Sequence, residues 1–373
     1  MARGSWAGGR GSSEKVRDDM GRVTLQTVAD VVGVSRMTVS NAFSRPDQLS
    51  AALRERILAT ATELGYAGPH PTARALARRS TGAVGVVLTD ALGAAFRDPA
   101  AAAFFGALAE ELAPTGLAVS LVPAAAVGGH LHARDLPVDG AVVYGCAEEP
   151  EALRWLTLRR LPLVFVDQLP LPGSSGILVD DATGGRLAVT HLTALGHRDI
   201  AVLTADPARR MPGWRSAPVS ENASHVARER TSGAVTALEA AGLRTRVYEL
   251  ASNHPDDVDA GVRALLADPY RPTGVVCFSD LMAAALVRAA QEAGLDVPRD
   301  LSVVGFDDSL LARSVTPALT TVRQDVEGKG RLAARALSEA LARTRDDEPS
   351  PVPGTVVLPV ELVVRGSTGP APH

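Results

Sequence analysis

Residues 23–44 read VTLQTVADVVGVSRMTVSNAFS, and the order of caps, apolar positions and one glycine predicts two short helices meeting at a sharp corner. Thr24 can cap the first helix, whose buried face is Leu25, Val28, Ala29 and Val32, one stripe at helical spacing. Ala29 has only a methyl group and lets a second helix cross closely, while Gly33 supplies the positive φ that the corner needs. Ser35 caps the second helix. Val39 with Ala42 or Phe43 turns inward there, which leaves Arg36, Met37, Ser40 and Asn41 outside near its N-terminal end. Those are the positions that a helix-turn-helix inserts into a major groove.

Downstream, Ser50 caps a third helix through Leu53, Ile57, Leu58, Ala61 and Leu64, stopped at Gly65 with Tyr66 behind it. Its exposed face carries Arg54 and Arg56. The plain alternative is a three-helix bundle with solvated arginines; the short helix, glycine corner, serine cap and polar helix within about 21 residues argue for DNA. Charge agrees. Residues 1–81 hold 12 Lys+Arg against 7 Asp+Glu, and the remainder 26 against 35, for a total of −4. A basic head on an acidic body points to a polyanion partner for the head, here double-stranded DNA.

Beyond Gly82 the pattern changes to short β-rich runs alternating with amphipathic helices: AVGVVL, LAVSLV, GAVVYG and LPLVFVD, then IAVLT, VYEL, GVVCFS and LSVVGFD. Such alternation predicts parallel sheets with crossover helices, an α/β fold repeated as two lobes with a cleft between them. Ligands of open α/β sheets bind beyond the carboxyl ends of the strands. Thr89 and Asp90, Asp167, Asp280, and Asp307 with Asp308 stand at such ends; Asp280 and Asp308 read as helix N-caps.

The 373 residues allow two or three domains at roughly 150 residues each, and 46% hydrophobic with 21% charged residues describes a soluble globular chain. The N-terminus lacks an apolar run for a signal or a membrane anchor, which predicts a cytoplasmic protein without a membrane partner. Cys146 and Cys277 lie inside apolar runs and read as small hydrophobes. No spacing asks for a metal or a cofactor: there is no P-loop, GxSxG or strand-followed GxGxxG, and His130 with His132 lack further ligands nearby. The HRD at 197–199 reads as a structural turn rather than a catalytic loop. Residues 205–226 form an unusually long connection, read as an insertion, with Trp214 a candidate to stack on a ligand. The basic residues are 36 Arg and only Lys15 and Lys329.

The run Thr24, Leu25, Val28, Ala29, Gly33, Val34, Ser35, Thr38, Val39, Ser40, continued by ELGY and ARAL, resembles the lactose-repressor/galactose-repressor (LacI) family of bacterial transcription regulators. The resemblance implies an all-α, lambda-repressor-like helix-turn-helix head and a two-lobed type I periplasmic-binding-protein-like body, with three chain crossings between the lobes. It implies Arg36 and Met37 facing base edges with Asn41 beside them, so that Arg36 can pair with guanine, Asn41 with adenine and Met37 with a thymine methyl. Thr24, Ser35, Thr38 and Ser40 suit phosphate contacts or caps. The segment PTARALARR at 71–79 resembles the family's hinge helix, with Leu76 at the minor-groove leucine and Ala73 at the small residue where paired helices approach. The preceding AGPHP is one residue longer than the family's pattern, which alters the cap of that hinge. By the same resemblance Thr89, Asp167, Arg230, Asp307 and Gln324 line an effector pocket.

The domains implied are a tail at 1–21, a DNA-binding domain at 22–66, a linker with hinge helix at 67–81 and a body at 82–369. Its first lobe is 82–178 with a return at 322–345, and its second is 179–321 with 354–366. The reading is a sequence-specific repressor that binds a near-palindromic operator as a homodimer and senses a small polar effector, sugar-like or nucleoside-like. A cytoplasmic solute-binding protein is the rival, which the basic head disfavours; an enzyme is disfavoured because no nucleophile–base pair can be picked out.

Overall fold

The computed structural model describes residues 23–68, 75, 80–88, 92–125, 130–145, 151–206, 211–215, 223–346 and 354–372. The chain divides into two compact units, Met1–Thr81 and Gly82–His373.

In the first unit α1 is Leu25–Val32, α2 Arg36–Ser44 and α3 Ala51–Glu63. The capping residues act as their chemistry demands. Thr24 and Thr27 form a reciprocal capping box, Ser35 Oγ accepts from Thr38 N at 3.0 Å, and Ser50 Oγ accepts from Leu53 N at 3.4 Å. Gly33 takes φ 77° at the corner, where a side chain would be strained. Val28, Ala29, Val39, Ala42, Ile57 and Ala61 form the buried core, with Phe43 packed edge-on against Tyr66. Arg54 and Arg56 are more than a solvated face: Arg54 Nε donates to Ala42 O and Arg56 Nη2 to Val32 O at 3.1 Å. They satisfy carbonyls near the C-terminal ends of the two helices that precede them.

The second unit contains two sheets. In chain order its strands are β1 Ala83–Leu88, β2 Ala118–Pro123, β3 Gly140–Tyr144, β4 Leu163–Val166, β5 Ser175–Val179, β6 Ile200–Ala205, β7 Gly213–Arg215, β8 Val247–Leu250, β9 Gly274–Cys277, β10 Ser302–Asp307, β11 Thr320–Gln324, β12 Thr355–Leu358 and β13 Val360–Val363. The longer helices are α4 Pro99–Leu112, α5 Glu151–Leu158, α6 Asp181–Ala194, α7 His225–Ala240, α8 Pro255–Leu266, α9 Asp280–Glu292 and α10 Val326–Asp346. The first sheet runs β12-β5-β4-β3-β1-β2, with every pairing parallel. The second runs β13-β11-β10-β9-β6-β8-β7, parallel except where β13 and β7 join at its edges.

The chain passes from one sheet to the other after β5, after β11 and between β12 and β13. The last passage corrects the expected lobe limits. Residues 355–358 pair with β5 in the first sheet, so only 360–363 of the segment 354–366 belongs to the second sheet. The first-lobe return likewise begins after Gln324, since β11 remains paired with β10.

The turn at His197 is structural. Its ring is fully buried, with Nδ1 3.0 Å from Thr273 Oγ1 and Nε2 3.0 Å from Ser302 Oγ and 3.1 Å from Gly369 O. The polar C-terminal residues thus dock on the second sheet, where Ser367 Oγ also accepts from Thr320 N at 2.8 Å. Burial holds the His197 imidazole below the usual histidine range, against the pull of the Gly369 carbonyl. The unfolded chain therefore takes up the proton first, and stability present above about pH 6.5 is lost as pH falls through the folded value. His197→Asn should flatten the fall in Tm between pH 7 and pH 5; an unchanged slope would assign that fall to other groups.

Burial pushes the Cys277 thiol up, as expected of a thiol packed as a hydrophobe. Among the described residues no helix is long and apolar enough to cross a membrane.

Candidate DNA-reading head and ligand cleft

On α2 the first turn presents Arg36 and Met37 to solvent, Met37 at 69% exposure. An unburied methionine in a small helical unit is available for contact rather than for packing. Asn41 is half-buried and its Nδ2 donates to Gln48 Oε1 at 3.1 Å, so its amide is oriented before any base is met. The hydroxyls of Thr24, Ser35 and Thr38 are engaged in caps; the Ser35 and Thr38 oxygens lie 2.8 Å apart. Ser40 is half-buried, and its carbonyl accepts from Ser44 Oγ. Ala73 and Leu76 of the expected hinge, and Thr89 of the expected pocket, lie outside the described residues.

The other four expected pocket residues come together. Asp167 follows β4 with φ 59°, and Asp307 ends β10 with φ 111°, both in the left-handed half of backbone space that non-glycine residues rarely occupy. Each turns a carboxylate off the carboxyl end of a different sheet. Arg230, on α7, is buried between the rings of Phe278 and Phe306, its guanidinium carbon 4.9 and 3.5 Å from their centres. Its Nε donates to Asp181 Oδ1 at 2.7 Å, and its Nη1 to Phe278 O at 2.6 Å and Asp307 Oδ1 at 3.4 Å. Gln324 Nε2 donates to the same Asp307 oxygen at 2.7 Å.

Two members of this network were not expected. Asp181 opens α6, and Lys329 stands on α10 with its side chain 2% exposed. Lys329 Nζ donates to Asp167 Oδ1 at 2.9 Å, Asp167 Oδ2 at 2.7 Å and Gln324 Oε1 at 2.9 Å. A signal for Lys329 existed: it shares a helical stripe with Val326, Ala333, Leu337 and Leu341, all buried, so a lysine there must find partners inside. Asp181 is masked in the sequence by Asp180, which is the actual cap and accepts from Thr183 N.

The chain Asp181–Arg230–Asp307–Gln324–Lys329–Asp167 is continuous from the second sheet to the first. Further bonds close the two sides on one another: Asn253 Nδ2 donates to Asp98 Oδ2 at 3.3 Å and Arg97 Nη1 lies 3.0 Å from His254 Nε2. Burial works against the Arg230 charge, but Asp181 and Asp307 outweigh it and raise its pKa. Burial raises Asp181, and raises Asp307 well above the usual carboxylate range. Beneath Arg230, Thr204 and Thr231 line a small cavity with Phe278 and Phe306. Their buried hydroxyls have no hydrogen-bond partner among the described residues.

Three expectations are corrected. Asp280 does not cap its helix, because Ser279 does; burial raises Asp280 to about 6, and it instead accepts from Thr321 Oγ1 at 2.6 Å and Ser309 N at 2.7 Å. Asp308 is not a cap either but the centre of an ion cluster with Arg323, Arg313 and Arg365. Trp214 lies in β7 rather than in an unstructured insertion, its Nε1 donating to Asp268 at 2.7 Å, its ring edge-on to Tyr248 and Arg246 over one face.

A head that presents a polar helix turn and a body with ionic groups at the ends of two parallel sheets have known counterparts. Residues 24–68 match the profile of the bacterial regulatory proteins of the lacI family, and residues 189–368 that of the periplasmic-binding-protein-like domain. An HTH-type transcriptional regulator of Mycolicibacterium smegmatis is 37% identical over 367 residues, spanning 94% of this chain and 97% of that protein. The chain belongs to the LacI family. It is a DNA-binding transcriptional regulator. Among solved LacI-family structures it is similar to the lac repressor dimer bound to operator and the anti-inducer ONPF, with TM-score 0.73 and 26% identity over 93% of this chain and 99% of that one. It is also similar to the transcriptional regulator CelR in complex with cellobiose, with TM-score 0.63 and 27% identity over 93% of this chain and all of that one.

Proposed function

We propose that this LacI-family regulator is a cytoplasmic repressor that binds a near-palindromic operator as a homodimer, and that a small polyhydroxyl effector held in the cleft changes its operator affinity. The observation that carries the reading is the polar network joining both sheet ends, since a ligand inserted there exchanges hydrogen bonds with both lobes at once. Coupling then follows if the two lobe arrangements bind the ligand unequally. The solved lac repressor, a dimer on its operator with an anti-inducer, and CelR with cellobiose support the same arrangement here.

In the head, Arg36 donates two hydrogen bonds to a guanine edge, Met37 contacts a thymine methyl and Asn41 reads an adenine. Thr24, Ser35, Thr38 and Ser40 hold the helices or the phosphates that set register. Ala73 and Leu76 act in a hinge helix that wedges the minor groove from each subunit, which requires two copies. No chemical turnover is part of this reading.

Selection of genomic fragments by the purified chain tests it: a near-palindrome bound far above random DNA is expected. On that site Arg36→Ala should cost about 1–3 kcal/mol and relax preference at one base pair. Uniform weakening over all sequences would instead make Arg36 a phosphate contact.

A further inference from the structure

Taking the cleft as the effector site, as proposed above, we infer that it selects its ligand by charge, accepting neutral or amino-bearing polyhydroxyl compounds and rejecting carboxylated or phosphorylated ones, and that Lys329 sets this selection. Among the described residues the network contains two cations, Arg230 and Lys329, against the carboxylates of Asp167, Asp181 and Asp307. Asp98 accepts the cross-lobe bond from Asn253, and Asp280 lies close enough to Asp307 to raise it further. Arg97, beside Asp98, is exposed to water and engaged with His254.

Among the described residues, the N–H donors of Arg230 and Lys329 are fewer than the acceptor sites of Asp167, Asp181 and Asp307. An ammonium has three N–H bonds, and those of Lys329 go to the two Asp167 oxygens and Gln324 Oε1. The Arg230 Nε and Nη1 are likewise directed at Asp181, Phe278 O and Asp307, which leaves its Nη2 and the hydroxyls of Thr204 and Thr231 as donors still open among the described residues. Each carboxylate can accept about four hydrogen bonds, so acceptor capacity exceeds what these donors fill. A ligand entering here must bring donors, as hydroxyl and ammonium groups do. A carboxylate or phosphate could meet the Arg230 Nη2 donors, but it adds negative charge to a place where, among the described residues, the carboxylates of Asp167, Asp181 and Asp307 already outnumber Arg230 and Lys329.

Lys329 decides the balance because, among the described residues, it alone meets both oxygens of Asp167. Lys329→Met keeps the length of the side chain and leaves Asp167 uncompensated, so the site should gain preference for cations. Asp167→Asn leaves the ammonium uncompensated and should move preference toward anions. The experiment uses the full chain and calorimetric titration with neutral pentoses, hexoses, disaccharides and cyclic polyols, each compared with its amino, carboxylate and phosphate derivatives.

The wild type should bind a neutral or amino compound at least about tenfold more tightly than its acidic derivative. The ratio of amino to acidic affinity should rise about tenfold or more in Lys329→Met, fall in Asp167→Asn and return in the double variant, which also serves if a single variant fails to fold. Equal loss of affinity for all derivatives would leave Lys329 a merely structural group and overturn its role. Preferential binding of a sugar acid or phosphate by the wild type would overturn the charge rule while sparing the effector site. No binding by any probe would overturn the effector reading itself.

Discussion

Arg230→Met is expected to lower the unfolding free energy by about 3–5 kcal/mol, the range for removing one partner from a buried ionic group. Asp181 and Asp307 lose the cation between them, and each is buried. The apolar methionine can still fill the slot between Phe278 and Phe306, so the loss reports charge rather than volume. Arg230→Lys should recover only part of it, because an ammonium lacks the planar fork that reaches Asp181, Asp307 and the Phe278 carbonyl together. Urea unfolding at pH 7 measures both. A loss below about 1 kcal/mol, the scale of an exposed pair, would mean that the carboxylates are held neutral and that Arg230 does not organise the cleft.

Gly233→Val should be nearly as damaging, through the backbone. A Cβ at Gly233 would stand 1.9 Å from Ala182 O, and one at Gly185 2.1 Å from Arg230 O, so α6 and α7 cross with no room for a side chain. Forcing them apart should cost at or beyond the upper end of about 1–3 kcal/mol. It should also stretch the Arg230–Asp181 bond, which joins the same two helices. Gly106→Ala is the control: its Cβ would meet nothing within 4 Å on α4, and the change should be neutral or stabilising by about 0.5–1 kcal/mol. Thermal and urea unfolding of the two variants side by side decide the matter; a Gly233→Val protein as stable as wild type would contradict the close crossing.

These contacts show how far the residues alone could be read. Thr24, Gly33 and Ser35 announce the head because caps and a positive-φ corner are local requirements, and the structure uses all three as such. The parallel strands announce themselves as apolar runs, yet β5, β7, β11 and β12 do not stand out from the sequence. SGILV and TTVRQ mix small or polar residues into buried strands, and β12 is an exposed edge. The pocket aspartates were visible as strand ends. Their companions were harder to see, since Lys329 lies 162 residues from Asp167 and Asp181 lies 49 from Arg230, and only tertiary packing brings such pairs together. The polar C-terminal residues hid their role for a similar reason: Ser367 and Gly369 are buried or bound by groups from distant strands.

The most direct test of the account is operator affinity measured with and without the polyhydroxyl compound found to bind the cleft, at one fixed salt concentration because phosphate contacts make affinity salt-dependent. Saturating ligand should change the affinity by a factor in the range of about 5–150, and Arg230→Met should abolish the change. Operator affinity identical in the free and the saturated protein would contradict it.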